Sequence, residues 1–469
     1  MKKISAFLIT LLISLGMFLP VVFAESVFDS SKTKAAGVML IDVKSGDALY
    51  KLNETDKIYP ASTTKIMTSL LAIEKGDMTK TITVGSEIGG FSSASSLLHL
   101  KKNEKINFKD LVYGMMMVSG NDAAMTIAKT IGGSVEGFVE MMNEKATELG
   151  MEHTHFVNPH GTFNQDHYST AEDMSKLVIY ALKNPEWKKL FTTNEYDLPA
   201  HNVGGKPLST TNKLTDPDPK EGDKKYLYSN ATGGKTGLTE RPKNNGCLVA
   251  IAKKDSSELV ALIFGDESAD HNGRFTIAKY LFETGFENFT TVDLKDVLGS
   301  ITVSEKIANA SALDEDDGMM EFGPDTSEGI YSTVSSSMVD KIKNNLQGVL
   351  PVPDFTREKK APIKEGDVFG TITYKYDDQI VATANLVATR DMDADGQEAS
   401  PDASASSSGS PVSTQKPTEL FPDSTISLWW LMILPAVLGV VILIRVMTVN
   451  KKRKTRFKNK RKVYNYRIK

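Results

Sequence analysis

The chain has 469 residues, 40% hydrophobic and 24% charged, the proportions of a globular protein long enough for two or three domains. Its net charge of -4 hides an asymmetry: residues 451–469 hold eleven of the 55 Lys and Arg and no acid, and Lys2 and Lys3 are the only charges before Glu25, so 42 basic residues face 59 acidic ones across 25–450. No nucleic acid is expected as a partner, because the basic tail lies beside an apolar span, and the single cysteine, Cys247, excludes an internal disulfide.

Residues 1–24 form the first element. Lys2 and Lys3 precede the apolar run "ISAFLITLLISLGMFLPVVFA", the pattern of a signal peptide cut after Ala24, with an uncleaved anchor as the alternative. Export without disulfides suits a bacterial extracytoplasmic protein. Cys247, in the apolar "GCLVAIA", reads as a packed thiol.

Residues 25–288 read as one domain. "GVMLIDV", "KSGD" and "ALYKL" predict a β-hairpin. "YPASTTKIMTSLLAIEKG" predicts a helix, with Ile66, Leu70 and Ile73 on one face and Gly76 as its stop. Two helices flank "SGND", and a further one runs from Val135 to Leu149. Strands return in "CLVAIAKKD" and "ELVALIFG" around a turn at Ser256-Ser257, and a helix over "RFTIAKYLFETGF" closes the unit. This order predicts an α/β (α+β) fold with helices packed on an antiparallel sheet drawn from distant parts of the chain.

Residues 289–395 change character. "DVFGTITYKY", "DD" and "QIVATANLVA" alternate like paired strands, which predicts a small, mostly β domain. Residues 396–424 are rich in Ser, Pro and Ala and read as a disordered tether. Ile426 to Ile444 is uncharged and about 28 Å long as a helix, with Trp429 and Trp430 near one edge, so 425–447 predicts a transmembrane helix. The basic tail 448–469 then lies in the cytoplasm, against lipid headgroups, with the rest outside.

Ser-x-x-Lys occurs at Ser31/Lys34, Ser62/Lys65 and Ser413/Lys416, and only Ser62/Lys65 opens a periodic apolar helix, where i and i+3 share a face. Alone it is weak, since an N-cap serine with an incidental lysine fits as well. "SGN" at Ser119–Asn121 stands between helices, and "KTG" at Lys235–Gly237 precedes a strand. Helix caps and an exposed turn lysine are their plain readings, but the ordered set of three marks serine enzymes that react with penicillin.

The chain resembles the low-molecular-mass penicillin-binding proteins of the serine-type D-alanyl-D-alanine carboxypeptidase family over about residues 30–395. "PASTTKIMT", "SGNDAA", "HYSTAEDM", "TTNKL" and "GGKTGLTE" carry the resemblance. Lys102-Asn103-Glu104 departs from a Lys-Gly-Glu pattern, and "ATGGKTG" and "RPKNNG" are also unusual. The resemblance implies a penicillin-recognising, β-lactamase/transpeptidase-like domain that removes the terminal D-alanine from peptidoglycan stem pentapeptides and binds β-lactams covalently.

A serine hydroxyl needs a base, and a lysine serves only when neutral, with its pKa well below about 10.4. Desolvation and a second cation, Lys235, supply two causes. Ser62 is then nucleophile and Lys65 base. The resemblance further implies that Ser119 relays protons, Asn121 orients Lys65 and substrate, Lys235 and Thr236 hold the terminal carboxylate, Gly237 allows close approach, and the Ser62 and Leu238 N–H groups form the oxyanion hole. No cofactor is expected. His153, His155 and His160 lie close in sequence, but their spacing is not a strong metal pattern, and His167 is expected to support the site wall. The rival readings are a class A-like β-lactamase, whose Glu-x-x-Leu-Asn string is missing, and a non-catalytic wall-binding or β-lactam-sensing protein.

Overall fold

The structure is a computed structural model that describes residues 27–202, 204–239, 245–266 and 268–395. The expected signal peptide, tether, transmembrane helix and basic tail lie outside the described residues. Among the described residues no helix is long and apolar enough to cross a membrane.

Five strands form the central antiparallel sheet: β1 (Gly37–Asp42), β2 (Ala48–Leu52), β3 (Ala231–Thr239), β4 (Asn245–Lys254) and β5 (Ser257–Asp266), in the order β2-β1-β5-β4-β3. Strands β1, β4 and β5 read as nearly unbroken apolar runs because both faces of the sheet are covered. Met39, Ile41, Cys247, Val249, Ile251, Val260, Leu262 and Phe264 face one core. Val38, Leu40, Leu248, Ala250, Leu259, Ala261 and Ile263 face the other, beneath the helix Gly273–Asn288 with Phe275, Leu281 and Phe282. Each strand alternates between two dry layers, so the period of two is hidden in hydrophobicity but kept in the packing.

The larger core takes the helices α1 (Lys65–Lys75), α2 (Phe108–Val118), α3 (Asn121–Gly132), α4 (Val135–Glu148) and α5 (Ala171–Leu182). Three begin at a side-chain cap: Asn107 for α2, Ser134 for α4 and Thr170 for α5. Two differences from the sequence-based expectation are local. The segment before α1 is a 3-10 turn, Ala61–Thr64, so Ser62 precedes the α-helix that holds Lys65. The β4–β5 turn falls at Asp255-Ser256, one residue early, because Asp255 adopts φ 53°, a left-handed conformation that Asp tolerates.

The second region has its own core, from Leu294 to Ala394, under a five-stranded antiparallel sheet that includes Val349–Phe355, Val368–Tyr376 and Gln379–Ala388. It is joined to the first through a ribbon of Phe289–Asp293 paired with Tyr331–Ser335. That ribbon grips the β1–β2 turn. Thr291 Oγ1 donates to Asp42 Oδ2 at 2.7 Å, and the Thr333 N–H donates to Asp47 Oδ2 at 2.7 Å. The Lys44 ammonium lies 3.9 Å from the centre of the Tyr331 ring.

Burial raises the Asp47 pKa above its ordinary 3.8, outweighing the Thr333 hydrogen bond. Its protonated form is therefore favoured by folding: that contribution is full below about 3.8 and is lost as pH rises through the folded value. Asp47→Asn, which keeps an acceptor for Thr333, is expected to melt at or above the wild-type temperature at pH 7, with the gap closing in acid. Asp47→Ala strands the Thr333 N–H and is expected to cost about 1–3 kcal/mol. Thermal melts of both variants at pH 7 and pH 4 check this.

Candidate active site

Three distant pieces of chain converge at one end of the larger core. Tyr59-Pro60 leads into the 3-10 turn, where Ala61 takes φ 48° and Thr63 donates to the Pro60 carbonyl through N (3.1 Å) and Oγ1 (2.6 Å). A left-handed alanine is costly, and such strain persists only where its surroundings enforce it. Gly161 is part of that enforcement. It sits at φ 86°, and a Cβ on it would lie 1.8 Å from the Ala61 carbonyl oxygen, so no other residue fits behind the turn.

Lys65 opens α1 at 0% exposure. Its Nζ lies 3.2 Å from Ser62 Oγ, 2.7 Å from Asn121 Oδ1 and 2.8 Å from the His160 carbonyl oxygen. None of these partners is a carboxylate. Burial, then the nearby Lys235, holds its pKa well below the ordinary lysine value, against a weaker opposing pull from Asp122.

Ser119 and Asn121 come from the α2–α3 junction. Ser119 ends α2 in a left-handed conformation, φ 61°, with its N–H donating to the Met115 carbonyl; Asn121 begins α3. Lys235 arrives on the edge strand β3. It is buried, not the exposed turn residue of the plain reading, and its Nζ donates to Ser119 Oγ (3.0 Å) and to the Thr236 carbonyl (2.9 Å). Burial and the Arg274 guanidinium pull its pKa down to about 7. A Cβ on Gly237 would lie 3.0 Å from the Pro60 carbonyl and 3.1 Å from Ser62 N, so β3 passes close against the serine turn. Thr236 shares a short hydroxyl–hydroxyl hydrogen bond with Thr211. Leu238 is 56% exposed and, with Ser62, Asn121, Phe163 and Ser92, lines a cleft of about 400 Å³.

The histidines serve as struts. The Val157 N–H donates to His167 Nδ1 (3.1 Å), which leaves Nε2–H to donate to Thr64 Oγ1 (2.8 Å). Burial brings the pKa of both His160 and His167 down to about 3, so both rings are neutral. The His153 backbone N–H donates to Asp173, and His155 Nδ1 lies 2.6 Å from the Asp166 carbonyl. Among the described residues no group of three His, Cys, Asp or Glu side chains is placed to hold a metal ion. The Cys247 thiol is buried on β4 behind Gly237, and burial pushes it up to about 11.

Four participants escaped the sequence reading. The His160 carbonyl and Gly161 act through backbone geometry, which no side-chain pattern announces. Thr211 lies inside the "TTNKL" block without a separate signal. Asp122 accepts from the Leu98 and Leu100 N–H groups at 2.8 and 3.0 Å, pinning the cleft wall beside Asn121.

Residues 24–268 match the D-alanyl-D-alanine carboxypeptidase family, and residues 305–394 match the C-terminal domain of penicillin-binding protein 5. The D-alanyl-D-alanine carboxypeptidase DacF of Bacillus subtilis is 30% identical over 400 residues, 82% of this chain and 93% of that one. DacA of Haemophilus influenzae is 28% identical over 366 residues, 76% of this chain and 84% of the relative. The crystal structure of penicillin binding protein 5 from Haemophilus influenzae superposes with a TM-score of 0.58 at 27% identity, covering 76% of this chain and 97% of that one. With a family match over more than half its length and a long relative at that identity, the chain belongs to the D-alanyl-D-alanine carboxypeptidase family.

Proposed function

We propose that Ser62 attacks the carbonyl between the two terminal D-alanines of a peptidoglycan stem peptide, with Lys65 as its base. The observation that carries this reading is the set of three neighbours around Lys65 Nζ. A neutral amine has two hydrogens and one lone pair. The two short contacts, Asn121 Oδ1 and the His160 carbonyl, can only accept. The lone pair is then left for the Ser62 hydroxyl to donate into, the geometry needed to take its proton.

The remaining steps follow from position. The Ser62 and Leu238 N–H groups would receive the developing oxyanion, each such donor being worth roughly 3–4 kcal/mol. Ser119, bonded to Lys235 and two residues before the Asn121 that holds Lys65, would hand a proton to the leaving D-alanine amine. The leaving residue's carboxylate would sit against Lys235 and the Thr211–Thr236 hydroxyl pair, and that anion would draw Lys235 back to its charged form. Water then hydrolyses the ester to release the shortened peptide. A β-lactam would acylate the same serine and leave slowly.

The extracytoplasmic setting belongs to the same proposal. It rests on the sequence of residues 1–24 and 425–469: a cleaved leader, a span and a basic tail on lipid headgroups, with the catalytic region on a tether reaching about 30 Å by random-coil scaling. That would confine the activity to wall near the membrane.

D-alanine release from a pentapeptide, and covalent labelling by a tagged penicillin, are expected to vanish in Ser62→Ala. Both should fall to near background in Lys65→Arg, because guanidinium stays protonated. Labelling that persists in Ser62→Ala would move the nucleophile elsewhere. Gly161→Ala drives a methyl group into the Ala61 carbonyl, and a shift of about 1 Å in the serine turn is expected to cost about a hundredfold in the acylation rate. Acylation kinetics with a chromogenic β-lactam read it out.

A further inference from the structure

A second recess, about 850 Å³, lies behind the wall of the catalytic cleft and plays no part in the chemistry above. It is lined by Leu98, His99 and 101–104 on one side and by Ala200, His201 and Asn202 on the other. Two ammonium groups, Lys101 and Lys102, and two imidazoles, His99 and His201, line it. Among its described lining residues Glu104 is the one carboxylate, and it is occupied. Its Oε1 lies 2.6 Å from His201 Nε2, and its Oε2 accepts from the Lys101 N–H at 2.8 Å. His201 is fixed from its other side by the Leu98 carbonyl, 3.0 Å from Nδ1. Among the described residues no carboxylate pairs with the ammonium groups of Lys101 or Lys102.

The backbone is shaped to present these groups. His99 takes φ 63° and Asn103 φ 66°, both left-handed without being glycine. His99 is pinched between the Leu98 and Leu100 N–H groups, which share the carboxylate of Asp122, and its own side chain is left exposed. Asn103 is held by its N–H on the Val84 carbonyl at 2.8 Å. The same strand of chain also walls the catalytic cleft through Ser92, Ser95 and Ser96, and the Asn121 N–H donates to the Ser96 carbonyl at 2.8 Å. Cleft and recess therefore share one wall, anchored at the two neighbouring residues Asn121 and Asp122. The peptide upstream of a scissile bond at Ser62 leaves the cleft along its walls, advancing about 3.3–3.6 Å per extended residue.

We infer that this recess is an oxyanion subsite, which takes a carboxylate or phosphate borne by the wall material upstream of the scissile bond, with Lys101 and Lys102 as the paired cations and His99 at its rim. The inference rests on the reading of Ser62 as nucleophile for a D-Ala-D-Ala peptide. The subsite adds affinity and selectivity for acidic wall substrates and takes no part in bond breaking.

The test compares two pentapeptides ending in D-Ala-D-Ala, one with a free carboxylate on a residue upstream of the scissile bond and one with that group as a carboxamide. D-alanine release from both by the full chain, absent in Ser62→Ala, establishes the reaction independently of the recess. The expected result is a KM about three- to tenfold lower for the acid at low salt, with the ratio falling to about one in Lys101→Gln/Lys102→Gln and at high salt. Each ratio is taken on one protein, so a folding defect affects both substrates alike. Inorganic phosphate added to the wild type separates the sources. Competition without an acid–amide difference assigns the recess to phosphate, and an acid–amide difference assigns it to the peptide carboxylate. No difference and no competition, or either effect surviving in the double variant, overturns the proposal.

Discussion

A lysine amine sealed from water, within 2.8 Å of two carbonyl oxygens and 3.2 Å of the Ser62 hydroxyl, is the constraint around which this region is arranged. Such an arrangement opposes stability. Below about pH 10.4 the unfolded chain holds a proton on this lysine that the folded chain does not favour, so folding works against protonation across the neutral range. The surrounding core offsets this. Ile66, Met67, Leu70 and Leu71 of the same helix are all buried in the large cluster, and each such side chain contributes on the order of 1.5–3 kcal/mol when removed from water. The helix that presents the amine is thus anchored in the core along its apolar face.

The other parts of the site keep that amine dry and place a second cation near it. Strand β3 passes so close to the serine turn that a side chain at 237 would crowd the Pro60 carbonyl and Ser62 N, and this proximity brings Lys235 to Ser119. The left-handed Ser119 reverses the chain between two helices and delivers Asn121 to Lys65. Two neutral histidines brace the loop that supplies the His160 carbonyl. Asp122 follows Asn121 in the chain yet spends its carboxylate on backbone N–H groups of the cleft wall, so it shapes the site without pairing with Lys65.

Much of this was legible in the sequence. The hairpin at the start, the helices around Ser119–Asn121, the buried strand pair at Cys247–Phe264 and the paired strands around Asp377-Asp378 all showed as apolar periodicity bounded by turn residues. Ser62, Lys65, Ser119, Asn121 and Lys235 stood out because three short strings occurred in one order. What did not show was backbone geometry. The left-handed conformations of Ala61 and His99, the carbonyl at His160 and the 3-10 turn that carries Ser62 depend on contacts between distant segments, and no local pattern encodes them. Asn103 is the exception that explains itself: where the resemblance led one to expect glycine, the chain needs φ 66°, and asparagine is among the few other residues that adopt it.

The most direct test is the charge on Lys65 in the resting protein. A pH titration of 13Cε-labelled lysines by NMR, with the Lys65 resonance assigned by its absence in Lys65→Arg, reads that charge without a substrate. The prediction is an uncharged amine at pH 7.5, with a midpoint well below the ordinary value of about 10.4. A Lys65 resonance that stays in the ammonium position up to about pH 10 would contradict the account at its root.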